Sequence, residues 1–246
     1  MQPLPQKCRL KKMSDNEYEI KTIEQNDDEF PESLRSLPKN RSPKQIFIQG
    51  EILDFRKCVA IVGTRKCSRE GQELAHEIAT ELSINGYTVV SGLAKGIDIA
   101  AHAGAIENDG KTIAVLEGLP KIYPPGHENH AQKVQNYGCL LTENFPNSDN
   151  LVLALVKRNE LIAALSDAII VVESSESGGA HYAIDYGKKL EKLVITMEPQ
   201  VENDEFVNGF QKFVEQGAKP AKTAKDVINI LDSYEKPKKS KLDDFT

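Results

Sequence analysis

The chain has 246 residues, of which 39% are hydrophobic, and its formal net charge is −6 at pH 7. This length and apolar content are enough to bury the core of one sizeable α/β domain, and we expect one main domain. The negative charge excludes a protein that coats nucleic acid with its whole surface, so an anion-binding site has to be built by particular loops.

The sequence predicts a cytoplasmic protein without membrane contact. The first residues, MQPLPQKCRLKKMSDNEYE, contain no apolar segment that resembles a signal peptide, and no later run reaches membrane-spanning length. The four cysteines lack the spacing of a zinc site, and we expect no metal and no cofactor.

Polar segments flank the predicted fold. Residues 1–29 are first basic and then acidic, with too few large apolar residues to fold alone, and are predicted to form a flexible tail. Residues 235–246 are predicted to form a second polar tail. The folded domain is therefore expected over residues 30–234.

Six apolar runs are predicted to be strands. Nearly all are continuous β-branched or aliphatic segments, which is typical of strands buried on both faces of a parallel sheet. The runs are CVAIV (58–62), YTVVS (87–91), TIAVL (112–116), CLLTE (139–143), AIIVV (168–172) and LVITM (193–197).

Helical patterns separate these strands. After the first strand, apolar residues recur at helical spacing from Leu74 to Leu82, with Ser68 as the N-cap and Gly86 just past the end. Further helices are predicted over residues 98–107, 158–165, 181–189, 206–216 and 226–231. The alternation implies right-handed βαβ units and an α/β, Rossmann-like, three-layer fold with a mostly parallel sheet.

Ligands of open parallel sheets bind outside the carboxyl ends of the strands, and four loops there combine glycine with polar residues. In the first loop, Gly63 lets backbone amides approach an anion, Thr64 can donate a hydrogen bond and Arg65 can clamp a phosphate. The other three loops span residues 91–98, 118–126 and 173–179.

Each loop taken alone also has an explanation in folding. A glycine after a strand is ordinary turn chemistry, Asp98 can cap its helix, and His102 among alanines is typical of a packed helix residue. The sequence has neither a GxGxxG fingerprint with its acidic partner nor a GxxxxGK[ST] motif, so neither NAD binding nor a P-loop NTPase is supported.

The series VAIVGTR, GYTVVSGLAKGIDIAAHAGAI, GKTIAVL, IYPP, GCLLTE, RNELIAALSDAIIVVES and SGGAHYA resembles, in order and spacing, the DNA-processing protein A (DprA/Smf) family. The resemblance covers residues 30–231, and SGLAKGID followed by AAH is its most specific element. It implies a Rossmann-like domain that binds single-stranded DNA, forms a homodimer and helps load a RecA-type recombinase during natural transformation or related recombination. The family is not known as one of enzymes, so no catalytic residue is expected.

The resemblance also implies which residues contact DNA. They are glycine, hydroxyl and basic residues at the strand ends, together with the basic segment that includes RN. In this chain the resemblance points to Gly63, Thr64, Arg65, Ser91, Gly92, Lys95, Gly96, Lys157, Arg158 and Asn159, and the strand-end loops themselves add Lys66, Ser177 and Gly178. Phosphate contacts of this kind supply affinity without base specificity.

Several features depart from the family pattern. The aromatic residue usual three positions before RN is Leu155, and the second arginine of RNR is Glu160, which removes a base-stacking surface and a positive charge. Glu117 stands where glycine is common. We also expect neither a winged-helix domain after Leu231 nor an extra helical domain before Phe30.

Other functions and contacts stay open at this point. A sensor for a nucleotide or nucleotide derivative, or a hydrolase of the related Rossmann-like superfamily, would use the same sheet edge, and an interaction module would leave the basic loops inert. For Arg65 the alternative to phosphate binding is an ion pair with a carboxylate such as Glu173. A homodimer would use apolar surface near FVNGFQKF, unless Phe206, Phe210 and Phe213 are core residues.

Overall fold

The computed structural model describes residues 18–176 and 178–234. The strands in this part are β1 (Ile20–Glu24), β2 (Gln45–Gly50), β3 (Cys58–Gly63), β4 (Thr88–Ser91), β5 (Thr112–Val115), β6 (Gly138–Thr142), β7 (Ala168–Val172), β8 (Leu193–Met197) and β9 (Lys219–Ala221). The helices are α1 (Glu32–Arg35), α2 (Arg69–Ile84), α3 (Ile97–Glu107), α4 (Glu128–Tyr137), α5 (Leu151–Leu165), α6 (Ala180–Lys189), α7 (Asp204–Glu215) and α8 (Ala224–Ser233).

All of these strands join one sheet, in the order β1-β2-β6-β5-β4-β3-β7-β8-β9. Strand β2 runs antiparallel to both of its neighbours, β1 and β6. Every other neighbouring pair is parallel. The mostly parallel, Rossmann-like sheet predicted from the sequence is therefore confirmed.

The six predicted strands correspond to β3–β8, and burial explains why their pattern was readable. Every residue of β5, β6, β7 and β8 is buried, so these segments tolerate no polar alternation. Helices α2, α3 and α8 pack on one face around Ile61, Ile78 and Val227. Helices α5 and α6 pack on the other face, where Ile162 and Ile184 belong to the core. The predicted three layers are present.

The predicted helix starts are also present where capping residues mark them. Ser68 caps α2, because its hydroxyl oxygen accepts a hydrogen bond from the Gly71 N–H at 2.8 Å. Thr223 and Asp226 form a reciprocal capping box at the start of α8.

The fold starts earlier than the sequence predicted and contains several elements that the sequence pattern did not indicate. Residues 20–24, assigned to a tail, form β1 and pair with β2. Strand β1 buries only Ile23, and α4 buries only Ala131 and Val134, so neither carries a strong apolar pattern. Helix α5 begins at Leu151, whereas the sequence predicted a start at residue 158. The predicted start was too late because the unbroken apolar run LVLALV shows no helical period.

Within residues 18–176 and 178–234, no helix combines the length and apolar character needed to cross a membrane.

Candidate functional site

A cleft of about 520 Å³ opens beside the carboxyl ends of β3 and β7. The chain leaves β3 for β4 on one side and later returns to β7 on the other side, so the sheet order reverses here. Ligands of open α/β sheets bind at such switch points. The walls of the cleft come from the β3–α2 loop, the β4–α3 loop, helix α5 and the start of α6.

The β3–α2 loop turns its cationic side chains to solvent while its backbone is fixed. A Cβ atom on Gly63 would overlap a carbonyl oxygen of the neighbouring strand β7, so the loop leaves β3 without room for a side chain. The N–H of Thr64 donates to the carbonyl oxygen of Glu173 at 2.8 Å. The N–H of Lys66 donates to Thr64 Oγ1 at 3.2 Å. Arg65 and Lys66 are both exposed at the cleft.

The carboxylate of Glu173 fixes the start of α2 and is not the partner of Arg65. It is buried, and it accepts hydrogen bonds from the N–H of Ser68 at 2.8 Å and from the Ser68 hydroxyl. A side chain on Gly71 would collide with this carboxylate. No carboxylate in the described part of the chain forms an ion pair with Arg65. The Arg65–Glu173 pair considered from the sequence is therefore absent.

The β4–α3 loop packs directly against the β3–α2 loop. Ser91 is fully buried, and its hydroxyl donates to the carbonyl oxygen of Ile61 at 2.6 Å, so this hydroxyl belongs to the fold. Gly96 has a φ of +88°, and a Cβ there would lie 2.7 Å from the carbonyl oxygen of Thr64 and 2.9 Å from Cys67 Sγ. Glycine at this position is what lets the two loops approach each other.

Arg158 forms the floor of the cleft and ties the ends of two strands together. It is 7% exposed, and its Nη1 donates to the carbonyl oxygen of Gly92 and, at 3.3 Å, to that of Val115. A Cβ on Gly92 would overlap the same guanidinium. The carboxylate of Asp98 accepts from the N–H groups of Gly92 and Ala94, each at 3.2 Å. Arg158 thus holds the β4–α3 loop against α5.

Two buried carboxylates lie near Arg158. Burial raises the pKa of Asp98, and the nearby Arg158 acts in the opposite direction. Burial likewise raises the pKa of Glu117, and the nearby cations Arg158 and Arg65 act in the opposite direction. Because Arg158 is buried and already donates to two backbone carbonyl oxygens, it offers little to an incoming anion. The cations available to an incoming anion are the exposed Arg65 and Lys66.

A family model described as DNA recombination-mediator protein A matches residues 21–232. The chain belongs to this family. Its fold and its strand-end loops thus agree with the resemblance noted from the sequence.

Relatives in this family are similar over most of their length. DNA processing protein DprA of Bacillus subtilis is 30% identical over 222 residues, which are 87% of this chain and 72% of the relative. The X-ray structure of DprA from Streptococcus pneumoniae superposes with a TM-score of 0.78 at 30% identity, covering 88% of this chain and 75% of that one. A structure of DprA from Helicobacter pylori, described as giving insight into its single-stranded DNA binding mode, has a TM-score of 0.75 at 28% identity and covers 89% of this chain and 98% of that one.

The names of the family and of these relatives describe DNA processing and the mediation of recombination. They agree with the prediction that the protein is not an enzyme.

The structure separates eleven of the thirteen predicted DNA-contact residues into three groups. Six line the cleft: Gly63, Thr64, Arg65, Lys66, Arg158 and Asn159. Ser91 and Gly92 are buried behind the lining, and Gly96 holds two loops together. Lys95 and Lys157 are exposed but do not line the cleft, and Lys157 lies near the carboxylate of Glu143.

The last predicted pair lies in the loop before α6. The half-buried Gly178 approaches Ser174, because a Cβ would lie 2.8 Å from Ser174 Oγ. Ser177 lies outside the described residues, and its contact with DNA stays a prediction.

Glu160, which stands where the family pattern has arginine, does not line the cleft. Its carboxylate forms an ion pair with Arg41, whose guanidinium also lies over the ring of Tyr186, 5.4 Å from the centroid. The charge that distinguishes this chain from the family pattern therefore belongs to the packing of α5 on α6 and the N-terminal segment.

Sequence reasoning missed the apolar side of the cleft. Val152 and Val156 line the cleft from the part of α5 that precedes the predicted start of this helix. Tyr182 lines it from the first turn of α6. The sequence feature that could have identified Tyr182 is its position as an aromatic residue just beyond the glycine-rich loop at the end of a strand.

Proposed function

We propose that this cleft binds the phosphate backbone of single-stranded DNA. The observation that carries the proposal is the state of Arg65: it is exposed at the cleft, and the carboxylate considered as its partner, Glu173, is already occupied by Ser68. A guanidinium that forms no ion pair within residues 18–176 and 178–234 is well suited to an external phosphate. The Helicobacter pylori relative, whose structure is described in terms of its single-stranded DNA binding mode, supports the same ligand.

The proposed contacts fall on the residues that remain accessible. Gly63, Thr64, Arg65 and Lys66 bind phosphate, and Asn159 contributes a polar side chain from α5. Lys95 and Lys157 supply additional positive charge near the cleft, while Ser91, Gly92, Gly96 and Arg158 maintain its shape. Gly178 and Ser177 are further proposed DNA contacts, as expected from the sequence.

We further propose that the protein acts in the cytoplasm as an accessory factor of recombination or DNA uptake, as in DNA-mediated transformation, and helps load a RecA-type recombinase. Membership of the recombination-mediator family supports this role. Cys58, Cys67 and Cys139 are free thiols, which suits a reducing compartment.

We also propose that the protein is a homodimer, as the family resemblance implies. The dimer would not use Phe206 or Phe213, because both are buried within the chain. Light scattering at high micromolar concentration tests this proposal, and a monomeric mass would overturn it.

Fluorescence anisotropy with labelled oligothymidine at two salt concentrations tests DNA binding. We expect affinity to fall steeply with salt, since phosphate contacts release counterions. A thermal-shift screen of nucleotides runs alongside it, because a nucleotide would fill the same cleft. A selective nucleotide shift without DNA binding would overturn the proposal in favour of a nucleotide sensor. The assembly rate of a RecA-type recombinase on the same DNA, with and without the protein, tests the partnership separately.

A further inference from the structure

The part of the cleft lining that comes from α5 and α6 is largely apolar and open to solvent. Val152 is 73% exposed and Tyr182 is 46% exposed, and both line the cleft. Leu155 and Val156 line it as well and are half-buried. The cleft thus has a cationic side and an apolar side.

Exposure sets Tyr182 apart from the other aromatic residues. Within residues 18–176 and 178–234, Phe145 and Tyr182 are the exposed aromatic side chains, and only Tyr182 of these two lines the cleft. Its neighbour His181 is anchored on α6, with Nε2 3.0 Å from Asp185 Oδ2, and the His181 and Tyr182 rings meet edge to face at 6.5 Å. An exposed aromatic ring next to a cationic loop is typical of a ligand-binding surface.

A nucleotide matches both sides of such a cleft. Its phosphate is anionic and suits Arg65 and Lys66, whereas its base is flat and has an aromatic face. The volume of about 520 Å³ lies in the range of small-ligand sites. Leu155 and Val152 offer aliphatic contact, but only Tyr182 offers an aromatic face within the described cleft lining.

We propose that Tyr182 is a base-stacking residue: a base of the single strand whose phosphates lie on the β3–α2 loop stacks on its ring, with Val152 at the rim of the same wall. The inference rests on the proposed function. Because every base has an aromatic face, stacking of this kind adds affinity with little base preference. The aromatic contact is thereby assigned to α6, because the α5 residue Leu155, which lines the cleft, is aliphatic.

The test compares two probes of equal charge, labelled oligothymidine and an abasic deoxyribose-phosphate oligomer of the same length. Wild type should bind oligothymidine more tightly. Tyr182→Ala should weaken binding of oligothymidine about five-fold to 150-fold and leave the abasic oligomer unchanged, since a stacked base is lost but no phosphate contact. Tyr182→Phe retains the ring and should bind like wild type, whereas Tyr182→Leu retains apolar volume and should behave like Tyr182→Ala.

Ile84→Ala is the matched control. Ile84 is 65% exposed and lies at the far end of α2, away from the cleft, so its truncation removes exposed apolar surface without touching the site. This variant should bind both probes like wild type.

A spectroscopic readout is independent of affinity. The chain has no tryptophan, so Tyr182→Trp introduces a single indole at the cleft. Its emission should be quenched on saturation with oligothymidine and not with the abasic oligomer.

The outcomes separate this inference from the proposed function. If Tyr182→Ala binds oligothymidine like wild type while Arg65→Ala does not, stacking is refuted and phosphate binding stands. Equal affinity of wild type for the two probes, or unquenched emission from Tyr182→Trp, also refutes stacking. If wild type binds neither probe, both proposals fall.

Discussion

Replacing Arg65 by alanine isolates the contact on which DNA binding is proposed to rest. The side chain is exposed and forms no ion pair with any carboxylate in the described part of the chain, so the fold does not depend on it. Truncation of an exposed side chain without such a role changes the free energy of unfolding by less than about 0.5 kcal/mol. The melting temperature of Arg65→Ala should therefore match that of wild type.

The effect on binding should be much larger. A hydrogen bond to a charged group contributes about 1.5–3 kcal/mol, which corresponds to roughly a ten-fold to 150-fold loss of affinity for single-stranded DNA. Arg158 should not compensate, because it is 7% exposed and lies between the carboxylates of Asp98 and Glu117. The loss of one phosphate contact should also reduce the slope of log affinity against log salt by about 0.7.

Anisotropy titrations with labelled oligothymidine at several salt concentrations measure both quantities. Arg69→Ala is the matched control: it removes one positive charge four residues further on, from a side chain that pairs with Glu73 at 2.8 Å and does not line the cleft. This control should lose much less affinity than Arg65→Ala.

Two results would refute the reasoning. An Arg65→Ala protein that melts normally and binds oligothymidine as tightly as wild type would show that Arg65 does not bind phosphate, and the nucleotide-sensor hypothesis would then lead. A protein that melts several degrees lower and keeps its affinity would show that Arg65 stabilises the fold instead.

Three further substitutions test packing and buried polar groups elsewhere in the fold and beside the cleft. Glu160→Arg places a second cation against Arg41, so it should lower the free energy of unfolding by roughly 1–3 kcal/mol in urea titrations without tightening DNA binding. Gly92→Ala forces a methyl group into the Arg158 guanidinium and should destabilise the protein by about 1–3 kcal/mol. Burial lowers the pKa of His102 to about 3 from 6.5, so stability should be lost as pH falls through this interval, by up to about 1.4 kcal/mol per pH unit. His102→Gln should flatten that slope in urea titrations between pH 6 and pH 4.

Each of these expectations has a contrary outcome. Tighter DNA binding by Glu160→Arg would mean that this position faces the DNA after all. Wild-type stability of Gly92→Ala would mean that the Arg158 contact is easily displaced. An unchanged acid slope in His102→Gln would mean that other groups carry the pH dependence.

The central sheet and the position of the candidate site were predictable from the sequence. Strands β3–β8 are apolar runs, and a strand buried on both faces allows little else, so their pattern is local and readable. The caps at Ser68 and Thr223 are equally local, because each bonds to a backbone N–H only three residues away. Since parallel strands place all their carboxyl ends at one edge, the loop at Gly63 was predictable as part of the site.

The roles of the polar residues at that edge depend on contacts between distant parts of the chain. In the sequence, Ser91 and Arg158 resemble ligand-binding residues. In the structure they donate hydrogen bonds to Ile61 and Gly92, which lie 30 and 66 residues away, and these contacts make both side chains part of the packed fold. The same holds for Tyr182, whose display at the cleft depends on how α6 packs beside α5. Propensity and periodicity act over one or two turns, whereas the direction of a side chain is set by whatever packs against it, and here those neighbours come from distant parts of the chain.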